Sequence, residues 1–262
     1  AGPLGMAIGV EHRSVNGFSQ PDSLQLLGVS TAGSALATAG GYSLDEAYVE
    51  FAIPILKNVE LSIASRYSDY STFGSTTNSK VGVRWTVNDD LVVRGSVSEA
   101  FRAPGIPDLY AGSASTFPSV VDPCAKDATA SCIADGVPTG GYDDTGIIQL
   151  PSKTGGNINA EPETADTMTI GAVFQPSWAD GLAVTVDYWS TEIDNAISTI
   201  GPQVILDNCH ASGTDCDKID RWGVGSPAGQ GNVIFIYDLT SNVGGVDADG
   251  VDLSVSYQMP ET

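Results

Sequence analysis

Four cysteines and two histidines are the residues of this 262-residue chain with the strongest capacity for chemistry. The cysteines form two local pairs, Cys124 with Cys132 and Cys209 with Cys216, each in a segment rich in Gly, Asp and Ser. An even number of cysteines at short spacing in loops is typical of disulfide-closed lobes in an oxidising compartment. A zinc site that includes His210 is the alternative, although neither pair has the gap of about two to four residues usual in zinc knuckles. The spacing therefore favours two disulfides.

The other polar candidates give little support to catalysis or to a resident metal. Asp135, Asp143 and Asp144 lie close together, but their spacing lacks the ligand rhythm of a calcium loop and indicates a solvated acidic segment. His12 and His210 are far apart in the sequence, and no Ser or Cys elbow motif accompanies either. We therefore expect a protein that is not an enzyme and that has no cofactor and no metal.

Alternating apolar and small polar residues show which elements must position these side chains. The clearest case is Leu4, Met6, Ile8 and Val10, which alternate with Gly, Ala and Glu. Similar alternation recurs over about 47–53, 61–67, 81–86, 91–98, 167–174, 182–189 and 251–258. Because period two is the repeat of a β-strand, the chain is predicted to be all-β, with about eight antiparallel strands.

The connections between these strands alternate in length. Short turns are predicted near residues 56, 89 and 178, and long loops over about 14–43, 71–77, 102–164 and 197–230. Transmembrane β-barrels have short turns at one end and long loops at the other, whereas a sandwich shows no such two-sidedness. The pattern favours a barrel segment. Its last element is predicted to be a long strand or bulged strand pair from Val233 onward.

Charges are sorted between the two faces of the predicted strands. They share the parity of the small polar residues, as in Glu11, Arg13, Glu50, Arg66, Arg84, Arg94, Asp187 and Asp252. An Arg or Lys facing lipid near the bilayer centre costs about 2–4 kcal/mol, so a lipid-facing surface would impose this sorting. Two packed sheets would impose it as well. A second protein layer over the apolar residues would therefore overturn the membrane interpretation.

The bulk composition limits the partners. A net charge of −21 argues against a nucleic acid partner, because phosphate binding requires clustered Lys and Arg. No apolar run approaches the roughly eighteen residues of a membrane-spanning helix, and the segment from Ala1 has no signal-peptide pattern. A barrel crosses by strands instead, so we expect a mature fragment of an exported protein.

Several segments resemble, in the expected order, the β-barrel domain of TonB-dependent outer-membrane receptors. They are GMAIGVEHR, EAYVEFAIPIL, SRYSDYSTFG, FRAPGIPDLY, NINAEPETADTMTIG, DYWSTEIDNAI and GVDLSVSY. Ile158 and Ala160 stand where the family usually has proline and leucine, and Gly105 and Pro107 also depart from its pattern, which affects local loop geometry. The resemblance identifies residues 1–262 as the central part of such a barrel domain, without the plug domain and the C-terminal strands.

The resemblance implies a receptor in the cell outer membrane of a Gram-negative bacterium. Such a receptor takes up a scarce nutrient, such as a siderophore, cobalamin or an oligosaccharide, and is energised by TonB through the plug. The expected partners are outer-membrane lipid, the small nutrient ligand, TonB and the remaining barrel strands, which would pair with the free strand edges.

Five residues are candidate substrate contacts. Arg102 follows a strand end, where it would bind an anionic ligand or fix the loop by pairing with a carboxylate. Tyr110 lies in the segment that follows. Tyr142, Trp189 and Trp222 lie near or within the long loops, where they would stack on sugar or aromatic groups.

Two other functions fit parts of the pattern. A secreted, soluble all-β binding or adhesion module would account for disulfide-closed loops and would stay folded in plain buffer. A passive porin would share the barrel but would have no plug domain encoded upstream.

Overall fold

The strands and helices below are those of a computed structural model that describes residues 2–31, 33–144, 149–226 and 229–259. In chain order the strands are β1 (Gly5–Ser19), β2 (Thr38–Leu56), β3 (Val59–Tyr70), β4 (Gly74–Thr86), β5 (Leu91–Arg102), β6 (Ala114–Thr116), β7 (Ser152–Thr154), β8 (Glu163–Phe174), β9 (Leu182–Asp194), β10 (Ile197–Ser198), β11 (Ile219–Arg221), β12 (Val233–Tyr237), β13 (Ser241–Asn242) and β14 (Gly245–Tyr257). The helices are α1 (Ser23–Leu26), α2 (Ile106–Tyr110), α3 (Ala130–Ala134) and α4 (Pro202–Ser212), with 3-10 turns at Pro123–Ala125 and Cys216–Lys218. None of the helices in these ranges has the length and apolarity that crossing a bilayer requires.

Eight strands form one antiparallel sheet in the order β1-β2-β3-β4-β5-β8-β9-β14. Each long strand pairs with its neighbour in an almost unbroken register, which runs between β1 and β2 from Gly5 opposite Ala52 to Ser19 opposite Thr38. Within the described residues β1 and β14 are the two edges, so the sheet is open. The predicted all-β class and its eight antiparallel strands are confirmed.

The two ends of this sheet differ as predicted. Short turns occupy residues 57–58, 87–90 and 175–181 at one end, called the turn end here. Connections 20–37, 71–73, 103–162 and 195–244 lie at the other, the loop end. Two predicted loops are shorter than expected, because β1 continues to Ser19, β2 begins at Thr38 and β4 begins at Gly74. These strand extensions are rich in Gly, Ser and Thr and lack the regular apolar alternation that marks the rest of each strand.

The apolar side chains of the sheet are not covered by a second layer of protein. Ile8 is 74% exposed, Val10 84% and Leu253 68%. The same holds, to a smaller degree, for Ile63, Val81, Val83, Trp85, Val97, Met168, Ile170, Val186, Val251 and Val255. In a packed sandwich a second sheet would bury this face, because burial stabilises a protein by about 25 cal/mol for each Å² of apolar surface removed from water. Among the described residues the sandwich arrangement is therefore excluded.

The opposite face of the sheet, the polar face, carries the charges that the sequence places there. Arg94 on β5 donates three hydrogen bonds to Asp187 on β9, at 2.8–3.1 Å. The strand between them, β8, has Gly171 at this level, and a Cβ there would lie only 1.8 Å from Asp187 Oδ1. The glycine is thus what allows the carboxylate to reach across one strand to its partner.

The buried core lies beyond the loop end, where two long connections fold together into one lobe, residues 103–162 and 195–244. A four-stranded sheet of order β11-β12-β7-β6 joins them, and β12 pairs in parallel with β7. Its core consists of Leu150, Ile205, Leu206, Cys209, Ile219, Val233 and Ile236. The prediction of a barrel strand from Val233 was wrong, because β12 belongs to this lobe and the last sheet strand begins at Gly245.

Candidate functional site

Arg102 ties the loop end of the sheet to both halves of the lobe. Its guanidinium binds Glu163 through Nε and Nη2, at 2.7 and 2.8 Å, and binds Asp108 at 3.2 Å. Glu163 in turn accepts a hydrogen bond from the backbone N–H of Ile197 at 2.6 Å. Bidentate Arg–carboxylate pairs hold a fixed geometry. These contacts are those of the loop-fixing role considered for Arg102, and its contact with a ligand stays a prediction.

Tyr110 ends a short helix that lies on the polar face at the loop end of β1 and β2. The Tyr110 ring occupies the space that a side chain at Gly40 would fill, and its hydroxyl donates to the carbonyl oxygen of Gly41 at 3.2 Å. At the other end of α2, Ile106 packs over Gly17 in the same way. The segment after Phe-Arg-Ala-Pro therefore covers the loop end of β1 and β2 on the polar face.

A polar cluster, absent from the sequence predictions, lies on the polar face of β2 and β3. Glu46 is 8% exposed and accepts hydrogen bonds from Ser68 at 2.5 Å and from Arg66 at 3.2 Å. Arg66 also lies over the Tyr48 ring, 5.0 Å from its centroid. Tyr48 in turn lies flat against Gly9 on β1. The signal in the sequence is that all these side chains have the parity of the polar face.

An aromatic cluster marks the loop end of β2 to β5. Tyr70 and Phe73 are stacked with ring centroids 4.7 Å apart, and Phe101 meets Tyr70 edge-on at 5.8 Å. Tyr42 joins at 5.9 Å from Tyr70. All four rings are only half-buried, so this cluster has ring surface available for stacking at the loop end of the sheet.

The interior of the lobe is held by a buried arginine. Arg221 donates to Asp122, to Asp135 at 2.6 Å and to the carbonyl oxygen of Gly231 at 3.0 Å. Tyr142 donates to the same Asp122 at 2.6 Å. Burial raises the pKa of Asp135, against the opposing effect of the hydrogen bond from Arg221. Burial, reinforced by the bond to Asp122, raises the pKa of the Tyr142 hydroxyl. Tyr142 is thus a structural residue of the lobe.

Both predicted disulfides are present, Cys124 with Cys132 and Cys209 with Cys216. The zinc alternative is therefore wrong, since every cysteine sulfur is bonded to another and His210 binds Asp127 at 3.1 Å. Among the described residues, the one group with metal-ligand proximity is Asp135 with Cys209 and Cys216, and it contains that disulfide.

The two candidate tryptophans lie in different surroundings. Trp189 was predicted to lie near a loop, but it is within β9, on the polar face, with its ring against Gly250 on β14. Trp222 follows β11 in the lobe and is 41% exposed. The five candidate residues thus occupy the rim, the lobe and the wall rather than one pocket.

Comparison with known protein families gives a match over nearly the whole chain. The family model for the β-barrel of TonB-dependent receptor-like proteins matches residues 4–260. The chain belongs to the TonB-dependent receptor β-barrel family. Members of this family are transport receptors of the outer membrane.

Solved structures agree with this family assignment at the level of the fold. The siderophore receptor PirA from Acinetobacter baumannii aligns with a TM-score of 0.59 at 13% identity, covering 96% of this chain and 32% of PirA. The ferric enterobactin receptor PfeA from Pseudomonas aeruginosa, in complex with enterobactin, gives 0.61 at 12%, covering 95% and 30%. The RagAB peptide importer gives 0.54 at 16%, covering 99% and 26%. No curated protein shows a significant sequence match. The chain thus spans between a quarter and a third of the length of these proteins.

Proposed function

We propose that this chain forms barrel wall and outer loops of a receptor that imports a scarce nutrient across the outer membrane of a Gram-negative bacterium, energised through TonB. The uncovered apolar face of the eight-stranded sheet carries the proposal, because hydrocarbon is the partner that such a face requires. Residues 1–262 would then be part of one barrel domain, with lipid against the apolar face and further strands on the edges of β1 and β14.

Different observations weigh against each of the other two functions. A soluble adhesion module would leave a continuous apolar face in water, which favours aggregation. A passive porin needs an open lumen and has no need of a folded lobe over its mouth or of the family's receptor pattern.

The ligand would be of siderophore, cobalamin or oligosaccharide type and would meet the receptor at the loop end. Siderophore receptors among the structural neighbours support the first of these. Of the candidate contacts, Trp222 is exposed and Trp189 is half-buried, and the half-buried ring cluster around Tyr70 and Phe101 adds further ring surface. Arg102, Tyr110 and Tyr142 are engaged in internal hydrogen bonds and would act by shaping the site.

A matched pair of substitutions in the complete receptor tests the membrane placement. Ile170 and Thr169 are neighbours on β8 that face opposite sides of the sheet, and Ile170 is 54% exposed. An arginine facing lipid near mid-bilayer costs about 2–4 kcal/mol, whereas one facing the lumen is hydrated. We expect Ile170→Arg to lower the amount of folded receptor in outer-membrane fractions, and Thr169→Arg to leave it close to wild type. Equal effects of both would contradict the proposal.

Transport itself is tested in cells with and without TonB. The complete receptor should support uptake of one labelled member of a panel of siderophores, cobalamin and oligosaccharides, and uptake should stop when TonB is removed. Uptake that is unchanged without TonB would favour a passive pore.

A further inference from the structure

The four-stranded sheet of the lobe has two faces with different surroundings. One face packs on the core of the lobe, and its side chains are at most 6% exposed; they are Ser152, Ile219 and Ile236. The opposite face, called the lobe face here, consists of side chains that are half-buried or exposed; they are Lys153, Asp220, Phe235 and Tyr237. The register places Asp220 opposite Phe235 and Tyr237 beside Lys153. The lobe face therefore gathers one cation, one carboxylate and two rings.

The ammonium group of Lys153 is held by aromatic rings and not by a carboxylate. Its Nζ atom lies 4.2 Å from the ring centroid of Phe235 and 5.3 Å from that of Tyr237. Among the described residues Lys153 makes no ion pair, and its ammonium group donates no hydrogen bond. A ring face attracts a cation but is a much weaker acceptor for its N–H groups than an anion is. The donors of this ammonium group are therefore available to an anion.

The carboxylate on the lobe face is engaged elsewhere. Asp220 accepts a hydrogen bond from the Tyr237 hydroxyl at 2.7 Å. Two other basic residues of the lobe, Lys218 and Arg221, do pair with carboxylates. In a chain with a net charge of −21, carboxylates are abundant. Lys153 is thus a cation that an acidic lobe leaves without an anion of its own.

Ring surface lies on one side of this ammonium group. Phe235 and Tyr237 are two residues apart on β12, so their side chains leave the strand on the same face, about 6–7 Å apart. Both rings are only half-buried. Because the rings exclude water from part of the ammonium group, a charge-assisted hydrogen bond to Lys153 is stronger than one to a fully hydrated lysine. A ligand that joins an anion to a ring would use both features.

We propose that Lys153, Phe235 and Tyr237 form a subsite for a ligand that carries a carboxylate or phosphate group on a ring. The anion binds the Lys153 ammonium group, and the ring of the ligand lies against the side chains of Phe235 and Tyr237. The inference rests on the proposed function, because it takes this ligand to be the imported nutrient. It makes Lys153 a residue that selects the charge of the nutrient.

Two small probes of nearly equal shape test this selection. Benzoate and benzamide are titrated against the complete receptor in detergent, and ligand-observed NMR gives the affinity of each. We expect the wild type to bind benzoate more tightly than benzamide. Lys153→Gln should weaken benzoate binding by about tenfold or more and leave benzamide binding close to wild type, because it removes a charge-assisted hydrogen bond. Lys153→Arg should keep the preference for benzoate.

Matched variants separate the subsite from a general effect of charge. Lys126→Gln makes the same charge change at an exposed lysine of the same lobe and should leave benzoate binding unchanged. Phe235→Leu removes one ring and keeps the ammonium group, so it should weaken benzoate binding by a smaller factor than Lys153→Gln. Hydrogen exchange in α4 should match the wild type in all these variants, which shows that the lobe is folded.

A photoreactive probe locates the subsite in the wild type, where no substitution can disturb the fold. Irradiation with 4-azidobenzoate should give adducts that mass spectrometry maps to β7 or β12, and an excess of benzoate should prevent them. Adducts confined to other segments would overturn the inference.

The outcomes distinguish this inference from the proposed function. A receptor that imports its nutrient only with TonB, yet binds benzoate equally well with Lys153→Gln, would overturn the subsite and leave the transport proposal standing. Benzoate binding that depends on Lys153, in a receptor that supports no uptake, would overturn the transport proposal and with it the assignment of this ligand as the nutrient.

Discussion

Replacing Arg221 by methionine should destabilise the lobe while leaving the eight-stranded sheet intact. The Arg221, Asp122 and Asp135 side chains are 2%, 2% and 14% exposed, so the substitution removes the cation from two carboxylates that water hardly reaches. Breaking a buried ion pair by removing one partner costs about 3–5 kcal/mol. Because Arg221 links the connection 195–244 to the connection 103–162, the loss falls on the association of the two.

Hydrogen exchange of the purified receptor, read by mass spectrometry, measures this loss directly. A decrease of 3–5 kcal/mol in the free energy of opening corresponds to roughly two to four orders of magnitude in exchange rate within α4 and β12. Exchange in β3 and β8 should not change. Lys218→Met is the matched control, since Lys218 pairs with Asp215 in the same connection but is 30% exposed, and such pairs contribute about 0–1 kcal/mol.

The pH dependence of this variant gives a second check. Burial already raises the pKa of Asp135, and removing the guanidinium takes away the hydrogen bond that opposes the rise. Protonation of Asp135 therefore stabilises the folded variant as the pH falls, and part of the lost protection should return at mildly acidic pH. An exchange rate in Arg221→Met within about tenfold of wild type at neutral pH would refute the reasoning.

Two further predictions follow from single contacts. Gly171→Ala should displace Asp187 and break its bonds to Arg94, lowering the thermal unfolding midpoint in detergent by the equivalent of about 1 kcal/mol or more, whereas Gly95→Ala, whose new Cβ would lie 3.5 Å from its nearest neighbour, should be close to neutral. Burial acts to raise the pKa of Asp215, but the hydrogen bonds from Lys218 and Asn208 outweigh it and lower that pKa. The ionised Asp215 therefore stabilises the folded lobe above its ordinary pKa of about 4, and this stabilisation is lost as the pH falls through the lowered pKa. Asp215→Asn should thus destabilise the lobe at pH 7, and its difference from wild type in hydrogen exchange should shrink toward pH 3; a constant difference would contradict the assignment.

The sheet could be predicted from the sequence where the strands face two different surroundings. From Leu4 to Val10, and again from Val251 to Tyr257, one side chain in two is apolar, and these side chains share one uncovered face of the sheet. Nearer the loop end of the strands the apolar alternation stops. Residues 74–79 still pair with β3, but Ser, Thr and Asn fill both faces, so the segment reads as a loop. Strand boundaries at the loop end therefore could not be predicted from alternation.

The lobe could not be predicted for a different reason. Its core joins Leu150 from one connection to Ile205, Leu206 and Ile236 from another, so no continuous segment shows the pattern of a domain. The two cysteine pairs indicated order but not association, because each disulfide closes a loop within one connection. The buried role of Arg221 likewise depends on acceptors 86 and 99 residues away, Asp135 and Asp122.

Glycine on the polar face links the composition to the function. The inward side chains of a barrel wall can bind one another across strands only if they are long. They leave space in the lumen only if they lie parallel to the wall. Gly9, Gly171 and Gly250 provide the space, beside Tyr48, Asp187 and Trp189 respectively. Added Cβ atoms at these positions would lie 1.8–2.9 Å from those side chains and would push them inward. The glycines on this face therefore keep the large side chains flat against the sheet, which leaves room on the inner side of the proposed barrel.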